Sequence, residues 1–212
     1  MQPPKAGELV WNPVTGERGI VLEGPRENDE RRLVVELYVS PGGAVVGEHL
    51  HPAITERFEV LEGRLGVKLS GRSSEATRGD ALEVPPGTWH DWWNAGYADA
   101  VVRVTVTPSD RFSLMIATLF GLALDGRTNP KGMPNPLQLA QVAREFEDVF
   151  VLRRPPRWIQ RFVFTLLAPL ARRRGYRAHY PRYDAAEIAG TPEDIRNGRP
   201  LDVHFGDGPG PP

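Results

Sequence analysis

The sequence predicts a mainly β domain, a sandwich or barrel of short strands, followed by an α-helical C-terminal extension. Two observations predict this. Short runs rich in β-branched and aromatic residues, separated by Gly, Pro, Asn and Asp clusters, recur up to residue 107. After Pro108 the spacing of apolar residues lengthens to that of a helix.

The predicted strands are 8–14, 17–23, 31–40, 44–51, 55–62, 64–70, 81–85, 89–94 and 100–107. In the last, Arg103, Thr105 and Thr107 share one face and the valines the other; because barrels keep aliphatics inside, Arg103 is expected on the outer side. For 34–40 the same alternation sets Glu36 and Tyr38 against Val35, Leu37 and Val39 without choosing the inner face.

Three helices are predicted beyond the strands. Phe112, Met115, Ile116, Leu119 and Phe120 fall at helical spacing, and Leu114, Leu122 and Leu124 cover the other faces, as in a buried helix. Residues 126–136, with Gly, Asn and three prolines, read as a loop, and 137–150 carry one stripe through Leu139, Val142, Phe146, Val149 and Phe150. A third helix starts near Pro156, with Trp158, Ile159, Phe162, Val163, Leu166, Leu167 and Leu170 on one side; Pro169 is expected to kink or end it. The division read from the sequence is 1–108 barrel, 109–190 helical extension packed on the barrel, and 191–212 flexible tail, since that last stretch is short of large apolar residues.

Two segments carry the chemistry, Gly43 to Gly63 and Gly79 to Asn94. Side chains alternate across a strand, so His49 and His51 leave the same face and can converge on one ion while Leu50 points away. Pro52 argues for a strand end or bend, after which Glu56 opens the next apolar run as a third ligand. His90 follows the stiff Pro85-Pro86-Gly87 turn and supplies a fourth from far away in sequence. A lone histidine is usually a hydrogen-bonded core or surface residue; four donors in this order point instead to a divalent transition metal, with Fe, Mn, Zn, Ni and Cu all suited to such ligands.

These segments read Gly-x5-His-x-His-x4-Glu-x6-Gly and Gly-x5-Pro-x-Gly-x2-His-x3-Asn. At every motif position this resembles the paired motifs of the cupin superfamily. The short linker from Arg64 to Arg78, with room for two strands and a turn, is similar to that of small single-domain cupins. The resemblance covers roughly residues 8–107 and implies a double-stranded β-helix, a jelly-roll barrel, with the metal held in its mouth between His49, His51, Glu56 and His90. The superfamily spans dioxygenases, isomerases, epimerases, decarboxylases, storage proteins and ligand-sensing modules, so the resemblance leaves the reaction open.

If Glu56 points inward, Phe58 and Val60 follow, and if His90 does, so do Trp92 and Asn94; these four are the predicted pocket lining, with Trp92 a platform for a flat or apolar ligand. Ordinary barrel core is the other reading of Trp92, and Trp89 and Trp93 are expected to pack under the helices. No residue is singled out as catalytic.

The absence of cysteine removes disulfides, thiolate ligands and a thiol nucleophile together and agrees with a reducing compartment. The N-terminus lacks the apolar core of a signal peptide, no run is long enough to span a bilayer, and a cytoplasmic protein is expected. The net charge of −1 hides a segregation, with nine arginines and no acid in 151–182. The arginines are expected to pair acidic groups of the barrel or a second subunit; an anionic membrane surface is the reading if the apolar face of the third helix is free. No helix-turn-helix supports a nucleic-acid partner. A homodimer is expected, with the segment Phe112 to Leu124 covering the seam. Two functions follow: a metal-dependent enzyme acting on a small organic molecule, dioxygenase-like ahead of isomerase, or a small-ligand binding or sensor module with a structural metal.

Overall fold

The computed structural model describes residues 3–45, 47–184 and 186–212. The strands before the first helix are β1 (Leu9–Asn12), β2 (Glu17–Glu23), β3 (Leu33–Val39), β4 (His49–Leu50), β5 (Thr55–Glu62), β6 (Arg64–Leu69), β7 (Arg72–Thr77), β8 (Ala81–Val84), β9 (His90–Asn94) and β10 (Ala100–Thr107). Then come α1 (Asp110–Leu124), α2 (Pro136–Glu145), β11 (Val151–Leu152), α3 (Arg157–Arg173), α4 (Pro181–Asp184), β12 (Glu187–Ala189), α5 (Pro192–Asn197) and β13 (Asp202–His204).

Two antiparallel sheets face each other, one ordered β1-β2-β3-β10-β5-β8 and the other β11-β4-β9-β6-β7. Strands far apart in sequence lie side by side: β10 pairs with both β3 and β5, and β4 pairs with β9. This is a mainly β double-sheet barrel with helices after it. The polar β7 and β6 fill the linker between the two histidine segments. Of the predicted strand 44–51 only His49–Leu50 is β4; residue 46 lies outside the described residues.

Register ranks the inner face by depth. Glu56 stands level with Val106, Phe58 with Val104 and Val60 with Val102, each two residues further from the mouth. On the facing sheet His90, Trp92 and Asn94 descend in the same way, opposite Leu69, Val67 and Leu65. The base is closed by a buried cluster that includes Leu37, Val39, Val60, Leu65, Val67 and Val102. Arg103 points outward, 3.3 Å from Glu59.

A second cluster joins barrel and extension, with Val21, Leu33 and Val106 packed against Met115, Val142, Phe146 and Val149, so the helices close the mouth. Helix α1 is spent inside the chain: Met115 packs toward the barrel and Leu122 against Tyr180 and Tyr183. Asn135 caps α2 by accepting from the amides of Leu137 and Gln138, with Pro136 pre-set for the first turn.

Three expectations need correction. The second helix ends at Glu145, and Val149 and Phe150 leave the helical stripe because the chain turns to add β11 to the free edge of β4. Helix α3 continues through Pro169, an exposed position, and keeps its place because Ala168 and Ala171 are buried and the Gln141 amide donates to the Ala168 carbonyl at 2.8 Å. Trp93 lies not under the helices but over Gly66; Trp89 is faced by the Arg153 guanidinium, 5.6 Å from its ring.

Beyond residue 190 a Thr191–Asp194 capping box starts α5, and Ile195 and Leu201 bury against Ile20, Tyr38 and Val101 on the outer face of the larger sheet. Arg18 ties this segment down by donating to the Ile195 carbonyl at 2.7 Å and pairing with Asp99. These few apolar contacts are too sparse to register as a period.

A Cβ at Gly66 would stand 2.2 Å from Trp93 Cε2. Gly66→Ala is therefore expected to destabilise the barrel by about 1–3 kcal/mol, read as a lower denaturation midpoint with an unchanged slope.

Candidate metal centre

The strand order carries His49, His51, Glu56 and His90 to one place. His49 and His90 are register partners across β4 and β9, His51 follows β4 at the bend before Pro52, and Glu56 reaches across from β5 in the other sheet. One ligand atom from each of the four lies within 4.8 Å of the others, and all four residues are at most 4% exposed.

Second partners orient the rings. The Nδ1 atoms of His49, His51 and His90 sit 2.9, 2.6 and 3.0 Å from the carbonyls of Gly47, Val149 and Thr88. A carbonyl only accepts, so each Nδ1 carries the proton and each Nε2 is left with a lone pair pointing into the cluster. Glu56 Oε2 lies 2.8 Å from His90 Nε2 and 3.4 Å from His51 Nε2, yet none of these three buried atoms completes a hydrogen bond.

Protonation follows the same arrangement. Burial, with His90 and His51 beside it, pushes His49 down to about 3, so it stays neutral. For Glu56 burial alone would raise the value, but the neighbouring His51 and His90 outweigh it and hold the carboxyl well below the usual range. Burial opposes a charge on His51, but Glu56 and the Val149 carbonyl outweigh it and hold its value above the ordinary one. Lone pairs converging beside an ionised carboxylate are costly, roughly 1–3 kcal/mol per unsatisfied buried group and more for a charge. A divalent cation removes that cost at every atom at once, so these residues fit one.

The extension completes the site. Phe150 stacks on His49, with ring centroids 4.7 Å apart and planes at 29°, and Phe112 meets the His51 ring edge-on at 5.6 Å. Together with the Val149 carbonyl they fix two ligands from outside the barrel. The sequence reading placed Phe112, Val149 and Phe150 on helical stripes; the apolar run 149–152 was the available signal that this stretch is extended.

A cavity of about 550 Å³ adjoins the cluster, walled by His49, His51 and Glu56 with Phe58, Trp92 and Met115. Of the four predicted lining residues, Phe58 and Trp92 face it. Val60 and Asn94 do not, because each lies at the base of the barrel: Val60 belongs to the core, and the Asn94 amide donates to the Val39 and Ala98 carbonyls while its oxygen accepts from the Gly96 amide. Asn94 thus closes a loop.

The cavity wall also contains Glu17, which sequence reasoning passed over as an ordinary strand acid. Burial pushes its carboxyl up to about 7, against a weaker lowering by the Thr15 hydroxyl, which donates to it. It is a titratable group in a largely apolar chamber, suited to giving or taking a proton near neutrality.

Fold and site define a double-stranded β-helix with a four-donor cluster in its mouth. Residues 35–107 match the family profile described as Cupin domain. The match lies within the barrel and ends where the helices begin, so the cupin likeness is that of the barrel.

Similar solved structures include KdgF from Halomonas sp., 20% identical over 44% of this chain and 79% of that one, TM-score 0.39. A predicted oxalate decarboxylase from Thermotoga maritima is 21% identical over 43% and 79%, TM-score 0.41. The polyketide cyclase RemF from Streptomyces resistomycificus is 25% identical over 44% and 66%, TM-score 0.39. No curated protein matches the chain.

The raised value at Glu17 makes stability depend on pH. Below its ordinary value of 4.5 the carboxyl is neutral folded and unfolded, and its contribution is fully present; as pH rises through about 7 the folded state must bury a charge, and the contribution is lost. Urea titrations at pH 5 and pH 8 should show wild type losing up to about 3 kcal/mol across that range, and Glu17→Gln losing markedly less.

Proposed function

We propose that this protein is a cupin and a metal-dependent enzyme acting on a small, largely apolar organic molecule, with dioxygen-dependent oxidation ahead of isomerisation. The observation that carries the reading is the junction of a buried three-imidazole, one-carboxylate cluster with a sizeable apolar cavity. A site meant only as a staple needs no such chamber.

His49, His51, Glu56 and His90 would hold the ion, and Fe, Mn, Zn, Ni and Cu all suit these ligands. When bound, such an ion supplies redox or Lewis-acid chemistry at the positions its protein ligands leave open. The chain does the rest. Phe58 and Trp92 offer flat apolar surface to the substrate, and Phe112 and Phe150 keep water from the ligand rings. Glu17 holds or releases a proton at its carboxyl. The low dielectric of the chamber strengthens each of these interactions.

A second reading, a binding or sensor module, is favoured by one contact. The extension grips His51 through the Val149 carbonyl and His49 through Phe150, so a change at the cluster is felt directly by the segment between α2 and α3. In that reading the helices are the output.

Metal analysis by mass spectrometry on untagged protein should find close to one divalent transition ion per chain, with His49→Ala and Glu56→Ala each retaining below about a tenth of it. Wild type that stays empty after incubation with each candidate metal would refute both readings. Azide added to the cobalt-substituted protein separates them: a perturbed visible spectrum shows an exchangeable position and supports the enzyme, and an inert spectrum supports the sensor.

A further inference from the structure

Helix α3 docks by the wrong face for ordinary burial. Its buried residues are Gln160, Ala168 and Ala171, and it is tied on by Gln160 donating to the Leu152 and Pro155 carbonyls at 2.7 and 2.6 Å. The large residues look outward, with Trp158 71% exposed, Phe162 63% and Leu166 62%, and Val163 and Leu170 beside them. At 100° per residue these lie on one side of the helix, opposite the alanines, on a strip roughly 18 Å long. The expectation that this stripe packs on the rest of the chain is therefore corrected. Small residues suffice to seat α3 on α2, and the apolar face is left free.

Charge says what covers it. Residues 151–182 hold nine arginines and no acid. Arg153, Arg161 and Arg182 find Glu48, Glu147 and Asp125. Among the described residues, Arg154, Arg157, Arg172, Arg173, Arg174 and Arg177 make no ion pair. Arg172 to Arg174 stand at the C-terminal end of the free strip. A second copy of the chain would set one such helix against another with no acid on either, and a nucleic acid would leave the aromatic strip in water. An anionic bilayer satisfies both halves, acyl chains accepting Trp158, Phe162 and Leu166 and headgroups accepting the guanidinium groups. No described helix is long and apolar enough to cross a membrane, so α3 would lie in the interface plane.

We propose that α3 is a peripheral membrane-binding helix that holds this protein on anionic phospholipid surfaces. The proposal is independent of the metal reading, since it rests on residues outside the cluster. Its setting gives it a functional edge: the other side of α3, through Arg157, Gln160 and Phe164, walls the cavity beside the metal cluster. The helix thereby places an apolar chamber next to the lipid surface.

The test is co-sedimentation of the full chain with vesicles of phosphatidylcholine alone and of phosphatidylcholine with phosphatidylglycerol, at low and high salt. Wild type should sediment with the anionic vesicles at low salt and about tenfold less well at high salt or without phosphatidylglycerol. Phe162→Glu/Leu166→Glu should abolish sedimentation, and Arg172→Gln/Arg173→Gln/Arg174→Gln should weaken it and flatten its salt dependence. All these positions are exposed, and unchanged thermal unfolding of the variants confirms that the fold survives. Wild type left in the supernatant overturns the proposal, as does equal sedimentation of wild type and Phe162→Glu/Leu166→Glu. Light scattering that shows a dimer split into monomers by that same pair overturns it in favour of a second copy as the occupant.

Discussion

The structure turns on an electrostatic constraint at the mouth of the barrel. Glu56 is an ionised carboxylate with almost no exposure, and three imidazole lone pairs are aimed at the space beside it. Such a group is stable only with a cation or a full set of donors, and the donors are committed elsewhere, each Nδ1–H to a backbone carbonyl. Much of the surrounding architecture can be read as what keeps that arrangement dry and immobile. The two sheets deliver ligands from opposite sides, and the helices seal the opening.

The extension is more than a cover. Its β11 lengthens the sheet that carries His49, Val149 holds His51, and Phe150 lies flat on His49, so residues about a hundred positions downstream are part of the cluster's second layer. The same chain segment then leads into α3, whose large apolar face is turned away from the body of the protein. One continuous stretch therefore joins the cluster, the cavity wall and the outer surface. Events at any of the three are mechanically close to the others.

Much was legible in the order of residues. Alternation on 55–62 put Phe58 on the same face as Glu56, and on 100–107 it set Arg103 against the valines, whose preference for a barrel interior pointed Arg103 outward. The depth of Val60 and Asn94 was not legible, since alternation tells inside from outside but not mouth from base. Nor was the docking of α3: an amphipathic stripe shows which residues share a face, and the chain instead buried Ala168, Ala171 and Gln160, a small-residue face with no hydrophobic signal. Glu17 resembled any strand carboxylate until its neighbours closed around it.

By itself the sequence determined the class of fold, the four donors and their order, because period-two alternation and turn chemistry are local and the motif spacing repeats a known pattern. Tertiary structure decided which carbonyls orient the rings, that the extension supplies Val149 and Phe150 to the site, how large and apolar the adjoining chamber is, and which face of α3 meets the outside. Those are outcomes of packing between residues tens to a hundred positions apart. No local pattern encodes them, because each is settled only when both partners are in place.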